Sequence, residues 1–371
     1  MSSVQIAMMN RYEMDADSVA KGESSVDSKK LVTEAYMRKW KKKGQQIDRL
    51  IEEQIKKIPA YQSRTDIETV RLDMRFCFFA YGFLPNEYFP FQLEHKSRKE
   101  RESFISERLR IIFRCKMNDI LAADIFRDKF KTYQKYKKYF RREAVSIETK
   151  ADYEAYQNFI SRHPVFVKKV VFESLGNSVQ LIDMNKSVKD ARTLFDSFIS
   201  KGKHILEEPI VQSSALAAFN ASSVNTIRLI TLNTKKGIVF PYCCLRTGLP
   251  GNFVDNGGAG GIMAGVNQQN GLVETDGLDE IGGVYRAHPG SGTVFKGYQL
   301  PDWEALLDMS RKVAETVPEI KYIGWDFAHT DNGWVIVEGN ECCQLIGKQM
   351  LDQKGLRKEF ERIMKDMDLM V

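Results

Sequence analysis

The sequence predicts an α+β fold, with a helical first part and a second part dominated by β-strands. Apolar residues recur mostly every three to five positions at 30–57, 66–80 and 94–114, a spacing typical of amphipathic helices. Further along, the pattern changes to short β-branched runs such as Val165–Val171. The clearest single element is a hairpin at residues 324–340, because two apolar runs flank an Asp-Asn-Gly turn.

The chain is long enough to contain more than one unit. Its 371 residues exceed the size at which a single hydrophobic core is usual, so two or three units are expected. We predict a mobile N-terminus at residues 1–28, which are polar and aperiodic, and a helical N-terminal module at residues 29–125. The strands then fall into residues 126–205 and 206–371.

The composition is that of a soluble globular protein, with 43% hydrophobic and 28% charged residues. The best apolar run, Phe76–Leu84, is interrupted by Gly82 and is shorter than the roughly 20 residues that a transmembrane helix needs. The N-terminus contains Glu13 and Asp15 and has no apolar segment typical of a signal peptide. The six cysteines lack the spacing of a zinc site. We therefore expect reduced thiols and a cytoplasmic location.

Charge is unevenly distributed along the chain. Residues 1–150 contain 32 Lys and Arg against 22 Asp and Glu, whereas residues 151–371 contain 23 against 27. A basic first part is expected to attract a polyanion such as an acidic glycan, a phospholipid surface or nucleic acid. The alternative is that these charges form ordinary solvated helix faces. No motif for reading nucleic acid accompanies the charge, so we expect no nucleic-acid partner.

The hairpin at residues 324–340 contains the most informative polar residues. Its first strand contains Asp326, and its second strand, Trp334–Val337, is followed by Glu338 and Asn340. Side chains two positions apart share one face of a strand, so the hairpin can bring Asp326, Glu338 and Asn340 to one point. Two carboxylates and an amide oxygen form an oxygen-only ligand set that suits Mg2+ beside phosphate groups. The alternative is a surface hairpin with polar ends.

Other polar residues occur where a nucleotide triphosphate would need them. Lys168 lies on a predicted strand and the turn at Gly176 follows it, so a lysine and backbone N–H groups could both approach phosphate. The strand that ends in Glu207 and Glu208 could offer backbone groups to an adenine and a carboxylate to a ribose. Arg228 lies in mid-strand, where burial is costly unless the guanidinium meets a phosphoryl group or a carboxylate of the hairpin.

Taken in order, these landmarks resemble the ATP-grasp superfamily, and more narrowly its sugar-transfer-associated family. The resemblance covers about residues 90–350 and depends on the segments Ser223-Val224-Asn225-Thr226-Ile227-Arg228, Val254-Asp255-Asn256, Gly260-Gly261-Ile262, His288-Pro289, Gly324-Trp325-Asp326 and Glu338-Gly339-Asn340. It implies two α/β lobes whose antiparallel sheets hold ATP between them. Residues 126–205 would be the small lobe, and residues 206–371 the large lobe with the metal site.

The resemblance also implies roles in phosphate, nucleotide and metal binding. The residues that would bind phosphates or close over them are Lys129, Lys168, Gly176 and Arg228, of which Lys168 and Arg228 would be catalytic. Those that would contact adenine and ribose are Glu207, Glu208 and Ile210, and those that would hold Mg2+ are Asp326, Glu338 and Asn340. Lys169 directly follows Lys168, so either lysine could be the one that binds phosphate.

A substrate region is predicted in the glycine-rich segment 252–261 and at His288. Asp255, Asn256 and Gly260 could form a backbone nest for an acceptor carboxylate or a leaving phosphate, or the segment could be a tight strand crossover. His288 could orient substrate or act as a base, or it could be a structural turn residue.

The chemistry that the resemblance implies is phosphorylation of a carboxylate by ATP, followed by attack of an amine or similar nucleophile on the acyl phosphate. We therefore expect an ATP- and Mg2+-dependent ligase of polysaccharide or cell-surface metabolism. Its partners would be a small-molecule or glycan-linked carboxylate and an amine-type acceptor. One alternative is a phosphotransferase with a stable phosphorylated product. Another is a non-catalytic, ATP-responsive scaffold whose basic helical module contacts an anionic surface.

Overall fold

The structure is a computed structural model that describes residues 10–172, 179–186, 190–252, 255 and 257–369. Within these ranges a helical part is followed by two antiparallel sheets with associated helices, so the predicted α+β fold class is confirmed. No helix in the described ranges is long and apolar enough to cross a membrane.

The N-terminal helices pack around a core that includes Ile51, Phe76 and Phe91. A single helix was expected between residues 94 and 114, but two are found, because Ser97 and Ser106 each cap the first turn of a new helix. The stretch predicted to be mobile also contains a short helix, whose first turn is capped by the side chain of Asp15. The helices are α1 (Ala16–Gly22), α2 (Val26–Lys39), α3 (Lys41–Lys57), α4 (Ile67–Tyr81), α5 (Pro85–Tyr88), α6 (Arg98–Arg101), α7 (Glu107–Met117) and α8 (Asp124–Arg127).

The smaller sheet has four strands in the order β1-β4-β2-β3, and all neighbours are antiparallel. Its strands are β1 (Ala144–Ile147), β2 (Val165–Val170), β3 (Gln180–Asp183) and β4 (His204–Glu207), and its helices are α10 (Tyr153–Arg162) and α11 (Ala191–Ile199). On the face covered by these helices, Phe166 and Leu206 pack with Phe159 and Phe198. On the opposite face, Ile205 packs into the core of the larger sheet.

The larger sheet has seven strands in the order β11-β10-β5-β6-β7-β8-β9. They are β5 (Thr226–Thr234), β6 (Gly237–Thr247), β7 (Ile262–Gly265), β8 (Gly277–Leu278), β9 (Val284–Tyr285), β10 (Tyr322–Thr330) and β11 (Gly333–Asn340). Its core includes Leu229 and Trp325, and helices α9 (Lys129–Phe140) and α13 (Trp303–Ala314) contribute Tyr136 and Leu306. Helix α9 therefore packs on the larger sheet, although the sequence places it in the small lobe; the lobe bounds stay a prediction.

The last helices join the larger sheet to the N-terminal part. A short helix, α12 (Ser214–Ala217), follows the smaller sheet, and α14 (Ile346–Asp352) and α15 (Arg357–Asp366) close the chain. Ile346 lies in the core of the N-terminal helices. The Gln349 side chain is hydrogen-bonded to the backbone N–H and carbonyl of Ile105 at 2.7 and 3.0 Å. These buried contacts connect the helical part to the hairpin of β10 and β11.

Candidate active site

The hairpin of β10 and β11 brings the three predicted metal residues together. Asp326 on β10 pairs in register with Glu338 on β11, and a β-bulge follows Asp326. The Asn340 side chain donates a 2.9 Å hydrogen bond to Oε1 of Glu338. Because Asp326 and Glu338 are directly opposite in the ladder, their side chains lie side by side on one face of the hairpin. Asp326 is only 1% exposed, so these groups meet in a buried place.

Arg228 on β5 lies directly opposite Asp326 in the sheet. Its Nε and Nη2 donate to the two carboxylate oxygens of Asp326 at 2.5 and 2.9 Å. Burial opposes the ionisation of Asp326, but Arg228 and Arg246 hold its pKa well below the usual range. Burial and the neighbouring Asp326 raise the pKa of Glu338. Of the two acids, Glu338 is therefore the one that retains a proton more readily.

Arg246 on β6 is a second buried arginine of the site, and sequence interpretation missed it. Its Nη2 donates to Oδ2 of Asp326 at 2.9 Å, and its Nε donates to the Thr226 hydroxyl at 3.2 Å. Thr226 in turn donates to Asp255, whose carboxylate lies 3.5 Å from Arg246. Burial raises the pKa of Asp255. Arg246 could have been found by the same signal as Arg228, a charged residue in an otherwise apolar strand.

The buried donor set fits a divalent cation. Asp255, Asp326 and Glu338 face two guanidinium groups, so negative charge is in excess when all three acids are ionised. Their oxygens are the ligand type that Mg2+ prefers. Among the residues that the structure describes, no three His, Cys, Asp or Glu side chains are arranged to hold a metal by themselves. A bound Mg2+ would therefore also need Asn340 and phosphate oxygens of a nucleotide.

The adjacent lysines of β2 point to opposite faces of the smaller sheet. Lys168 is buried on the helix-covered face, and its ammonium lies 5.1 Å from the ring centre of Phe198. Lys169 is on the other face and donates to Glu207 at 3.0 Å. Because Ile205 on that same face packs into the core of the larger sheet, Lys169 is the lysine that faces the other lobe.

Glu207 is held between two cations. Arg142 donates to it through Nε and Nη2 at 2.9 and 2.6 Å, and Lys169 donates to its other oxygen. Burial opposes the charge, but Arg142 and Lys169 lower the pKa of Glu207 to about 2. Arg142, also missed in the sequence, donates to the carbonyl oxygens of Ile336 and Val337 at 2.6 and 3.3 Å. It thereby connects the smaller sheet with the second strand of the hairpin.

The other predicted nucleotide residues are spread along the junction of the two lobes. The Lys129 ammonium donates to two carbonyl oxygens at the end of β2, at 3.3 and 3.1 Å. The Glu208 carboxylate accepts a 3.2 Å hydrogen bond from the backbone N–H of Glu143. Ile210 is half-buried in the segment between β4 and α12. Gly176 lies outside the described residues.

The predicted substrate residues are placed differently from one another. Asp255 belongs to the buried cluster beside Arg246. Gly260 follows a short 3-10 turn at Gly257–Ala259 and has a φ of 88°, in the left-handed region that favours glycine. Asn256 lies outside the described residues.

His288 is almost completely buried, with 1% exposure. Its Nε2 lies 2.8 Å from the carbonyl oxygen of Gly248, and its Nδ1 accepts a 3.2 Å hydrogen bond from the N–H of Gly290. Both ring nitrogens are thus engaged with backbone groups. This arrangement favours the structural alternative for His288.

Helix α7 holds the chain directly after the hairpin, in contacts that the sequence did not reveal. Arg114 donates to both carboxylate oxygens of Glu341 at 2.5 and 2.6 Å. The Asn118 side chain donates to the carbonyl oxygens of Tyr322 and Glu341, each at 2.8 Å. Arg110 donates to the next two carbonyl oxygens at 2.7 and 3.1 Å. The N-terminal helices therefore fasten the end of the hairpin nearest the predicted metal residues.

The chain matches a known protein family over most of its length. Residues 108–365 match the family described as sugar-transfer associated ATP-grasp. No curated protein sequence matches the chain significantly. Similar solved structures include the ATP-grasp ligase PsnB complexed with a minimal precursor, with 10% identity, a TM-score of 0.42, and coverage of 72% of this chain and 71% of that one. Another is D-alanine-D-alanine ligase from Helicobacter pylori, with 16% identity, a TM-score of 0.41, and coverage of 67% and 62%.

A third similar structure is D-alanyl-alanine synthetase A from Vibrio cholerae, with 8% identity, a TM-score of 0.43, and coverage of 66% of each chain. At such low identity these likenesses concern the fold alone. The family match is different, because it spans well over half of the 371 residues. The chain belongs to the sugar-transfer associated ATP-grasp family, and its two sheets form the two lobes of an ATP-grasp fold.

Proposed function

We propose that the chain is an ATP- and Mg2+-dependent ligase that activates a carboxylate as an acyl phosphate and joins it to an amine or similar nucleophile. The observation that supports this most is the cluster of buried Asp326 with half-buried Glu338 and Asn340, beside Arg228 and Arg246. Arg228 and Arg246 pair with Asp326, whereas Glu338 lies beside Asp326 and its hydrogen bond from Asn340 brings no positive charge, so an added cation would be favourable there. Membership in the ATP-grasp family agrees with this proposal.

In this proposal ATP lies between the smaller sheet and the hairpin. Lys169, in place of Lys168, contacts the phosphates, because Lys169 lies on the face of β2 that is turned toward the larger sheet. The hydrogen bond to Glu207 orients the Lys169 ammonium. Lys129 adds positive charge at the end of the same strand. Since two cations already engage the Glu207 carboxylate, that side chain supports the site indirectly.

The adenine and ribose would be bound just beyond Glu207. The segment 208–210 follows β4 and leads into the larger lobe, so its backbone groups are suited to an adenine edge. Glu208 would contact the ribose, and half-buried Ile210 would contact the ring. Asp326, Glu338 and Asn340 would hold Mg2+, which when bound neutralises charge on the phosphates.

The proposed chemistry has two steps. First, a carboxylate oxygen of the substrate bonds to the γ-phosphorus, the bond from that phosphorus to the β–γ bridging oxygen breaks, and ADP leaves. Arg228 and Arg246 would stabilise the charge on the transferring group through their planar donors. Second, the amine nitrogen attacks the acyl carbon, the bond from that carbon to the phosphate oxygen breaks, and phosphate leaves. Asp255, a buried carboxyl with a raised pKa, is our candidate to accept the amine proton.

We extend the proposal to polysaccharide or cell-surface metabolism because the family is described as sugar-transfer associated. The carboxylate would then belong to a small molecule or a glycan. Its carboxyl group would be bound near Asp255, where Asn256 and Gly260 belong to the same glycine-rich segment. Backbone N–H groups in such a segment can bind an anion without a charged side chain.

The proposal is tested by calorimetric titration of ATP and of ADP, each with Mg2+. Glu338→Gln removes the charge and keeps the size of the side chain. Asp331→Asn is the matched control, because it removes the same charge from the exposed turn of the same hairpin. We expect Mg2+-dependent binding by the wild type and the control, and its loss in Glu338→Gln. Absence of binding by well-folded wild-type protein would overturn the proposal.

Product analysis then separates a ligase from a phosphotransferase. A ligase releases ADP and phosphate when both a carboxylate and an amine are supplied, because the acyl phosphate must be consumed. A phosphotransferase forms a stable phosphorylated product with one acceptor alone. ADP formation with a lone carboxylate, without release of phosphate, would replace the ligase by a phosphotransferase.

A further inference from the structure

The N-terminal helices carry a concentrated positive surface at the junction of α2 and α3. Within residues 38–49 there are six cations and one acid, Asp48, and this acid is hydrogen-bonded to Arg75 at 2.7 Å. We call these cations the junction surface: Arg38, Lys39, Lys41, Lys42, Lys43 and Arg49. Lys41 and Lys42 are exposed, and so are Lys39 and Arg49.

The cations of the junction surface have few acidic partners within the protein. In the described part of the chain, Arg38 alone among them forms an ion pair, with Glu34 at 3.8 Å. Elsewhere in the same helical module the pattern is different, because Arg64 and Arg71 each pair with two carboxylates. The junction surface therefore has positive charge that other residues do not neutralise.

The position of the lysines on α3 increases this effect. Lys41, Lys42 and Lys43 occupy the first turn of a 17-residue helix, which has no acidic residue in that turn and no side-chain cap. Positive side chains at this end oppose the helix dipole, so an external anion would be favoured there. The last turn of α2 adds Arg38 and Lys39 beside them.

Aromatic and apolar side chains lie next to these cations. Trp40 forms the kink between the two helices, and the cations of Arg11 and Lys39 lie 5.2 and 5.5 Å from the centre of its ring. On α2, Leu31 is 53% exposed although it is large and apolar, and it lies seven residues before Arg38, which places the two side chains on the same face of the helix. Basic, aromatic and exposed apolar residues together favour a lipid surface over a soluble polyanion, which needs charge alone.

We propose that the junction surface docks the protein on a membrane that contains anionic phospholipids. The lysines bind the headgroup phosphates, and Leu31 contacts the boundary of the acyl chains. This docking does not depend on the ATP site, since no ion pair among the described residues joins the junction surface to the hairpin or the smaller sheet. It would bring a soluble catalytic unit to substrates carried at a membrane surface.

The test is sedimentation of the full chain with two kinds of vesicle, one of phosphatidylcholine alone and one with a third of phosphatidylglycerol. The variant Lys41→Glu/Lys42→Glu changes two exposed residues. Lys354→Glu/Lys358→Glu is the control, because it makes the same charge change at two exposed lysines outside the junction surface. Each lysine near an anionic surface contributes roughly a factor of five, so we expect binding to fall at least about 25-fold in the first variant.

We expect the wild type and the control to bind the anionic vesicles but not the phosphatidylcholine vesicles, and to bind less strongly at high salt. We expect Leu31→Ser to bind the anionic vesicles more weakly than the wild type does. Failure of the wild type to bind anionic vesicles would overturn the proposal, as would an equal loss in both double variants. Displacement by heparin at an equal concentration of charge would identify a soluble polyanion as the partner and also overturn it. Calorimetric ATP binding in the first variant reports on the ATP site separately, and we expect it to be unchanged.

Discussion

The buried ion pairs of Glu207 allow a quantitative prediction for Glu207→Gln. Burial opposes the charge of this residue, but Arg142 and Lys169 lower its pKa from 4.5 to about 2. A shift of this size corresponds to about 3 kcal/mol of folding free energy at neutral pH. Gln keeps the shape and loses the charge, so the variant should be destabilised by about 3 kcal/mol, in line with the cost of breaking a buried ion pair. Because the folded pKa is depressed, this stability is present above pH 4.5 and is lost as the pH falls toward 2.

The measurement is thermal unfolding between about pH 6 and pH 8, where the difference from wild type should not change with pH. Unfolding entropy is about 2.1 cal/mol/K per residue, so 3 kcal/mol lowers the midpoint by about 4 °C if the chain unfolds as one unit. Glu208→Gln is the matched control: its carboxylate accepts one backbone hydrogen bond at 3.2 Å, which the amide oxygen of Gln can still accept, so the variant should cost at most about 1 kcal/mol of folding free energy. An unchanged midpoint for Glu207→Gln, or a fall no larger than that of the control, would refute this reasoning.

Three further predictions concern residues whose roles the structure distinguishes. Of the two adjacent lysines, Lys169 faces the larger lobe, so Lys169→Met should weaken ATP binding, measured by calorimetry, at least about tenfold. Lys168→Met should mainly lower the midpoint of thermal unfolding, because Lys168 lies on the helix-covered face. The reverse result would restore Lys168 as the lysine that binds phosphate. Arg114→Met should lower the free energy of unfolding by about 3–5 kcal/mol, since it leaves Glu341 without its bidentate partner. It should also raise the Mg2+ concentration needed for half-maximal ATP binding. His288→Asn should leave the pH profile of product formation unchanged, because both ring nitrogens bind backbone groups. Loss of the acidic limb of the profile would show that His288 is a base.

The fold could be predicted from the sequence where the pattern is local. The hairpin is an example, because its apolar runs and Asp-Asn-Gly turn fix both the pairing and the face on which Asp326 and Glu338 meet. The prediction of one continuous helix between residues 94 and 114 was wrong, because the side chain of Ser106 caps the start of a second helix. Helical periodicity does not reveal such a cap. Periodicity detects the apolar stripe of a helix, whereas a cap is a single side chain and is easily overlooked.

The site could be predicted less completely, because strand alternation does not say which face is turned toward a ligand. Lys168 and Lys169 necessarily point to opposite faces, and this much follows from the sequence. The choice between them depends on which face α10 and α11 cover, and that is decided by packing of the whole lobe. Arg142 was missed for a related reason, since it is explained by Glu207, an acid that is distant in the chain. Arg246 could have been suspected from its apolar strand, but its bond to Asp326 spans 80 residues of sequence.

The contacts of α7 show how far the site extends beyond its ligands. Asn118 and Arg114 reach Glu341 across more than 220 residues of sequence, a separation at which no local pattern gives a signal. Asn118 bonds to β10 and to Glu341, the residue that directly follows β11, so it holds this end of the hairpin, where the predicted metal residues converge. The family match begins at residue 108, within this helix, which agrees with α7 being part of the ATP-grasp unit as well as of the helical module. A fragment that began after α7 would retain every predicted ligand, but it would lose the bidentate Arg114 and leave Glu341 with the more distant Arg127, at 3.5 Å, as its arginine partner. We expect such a fragment to bind Mg2+ and ATP poorly for that reason.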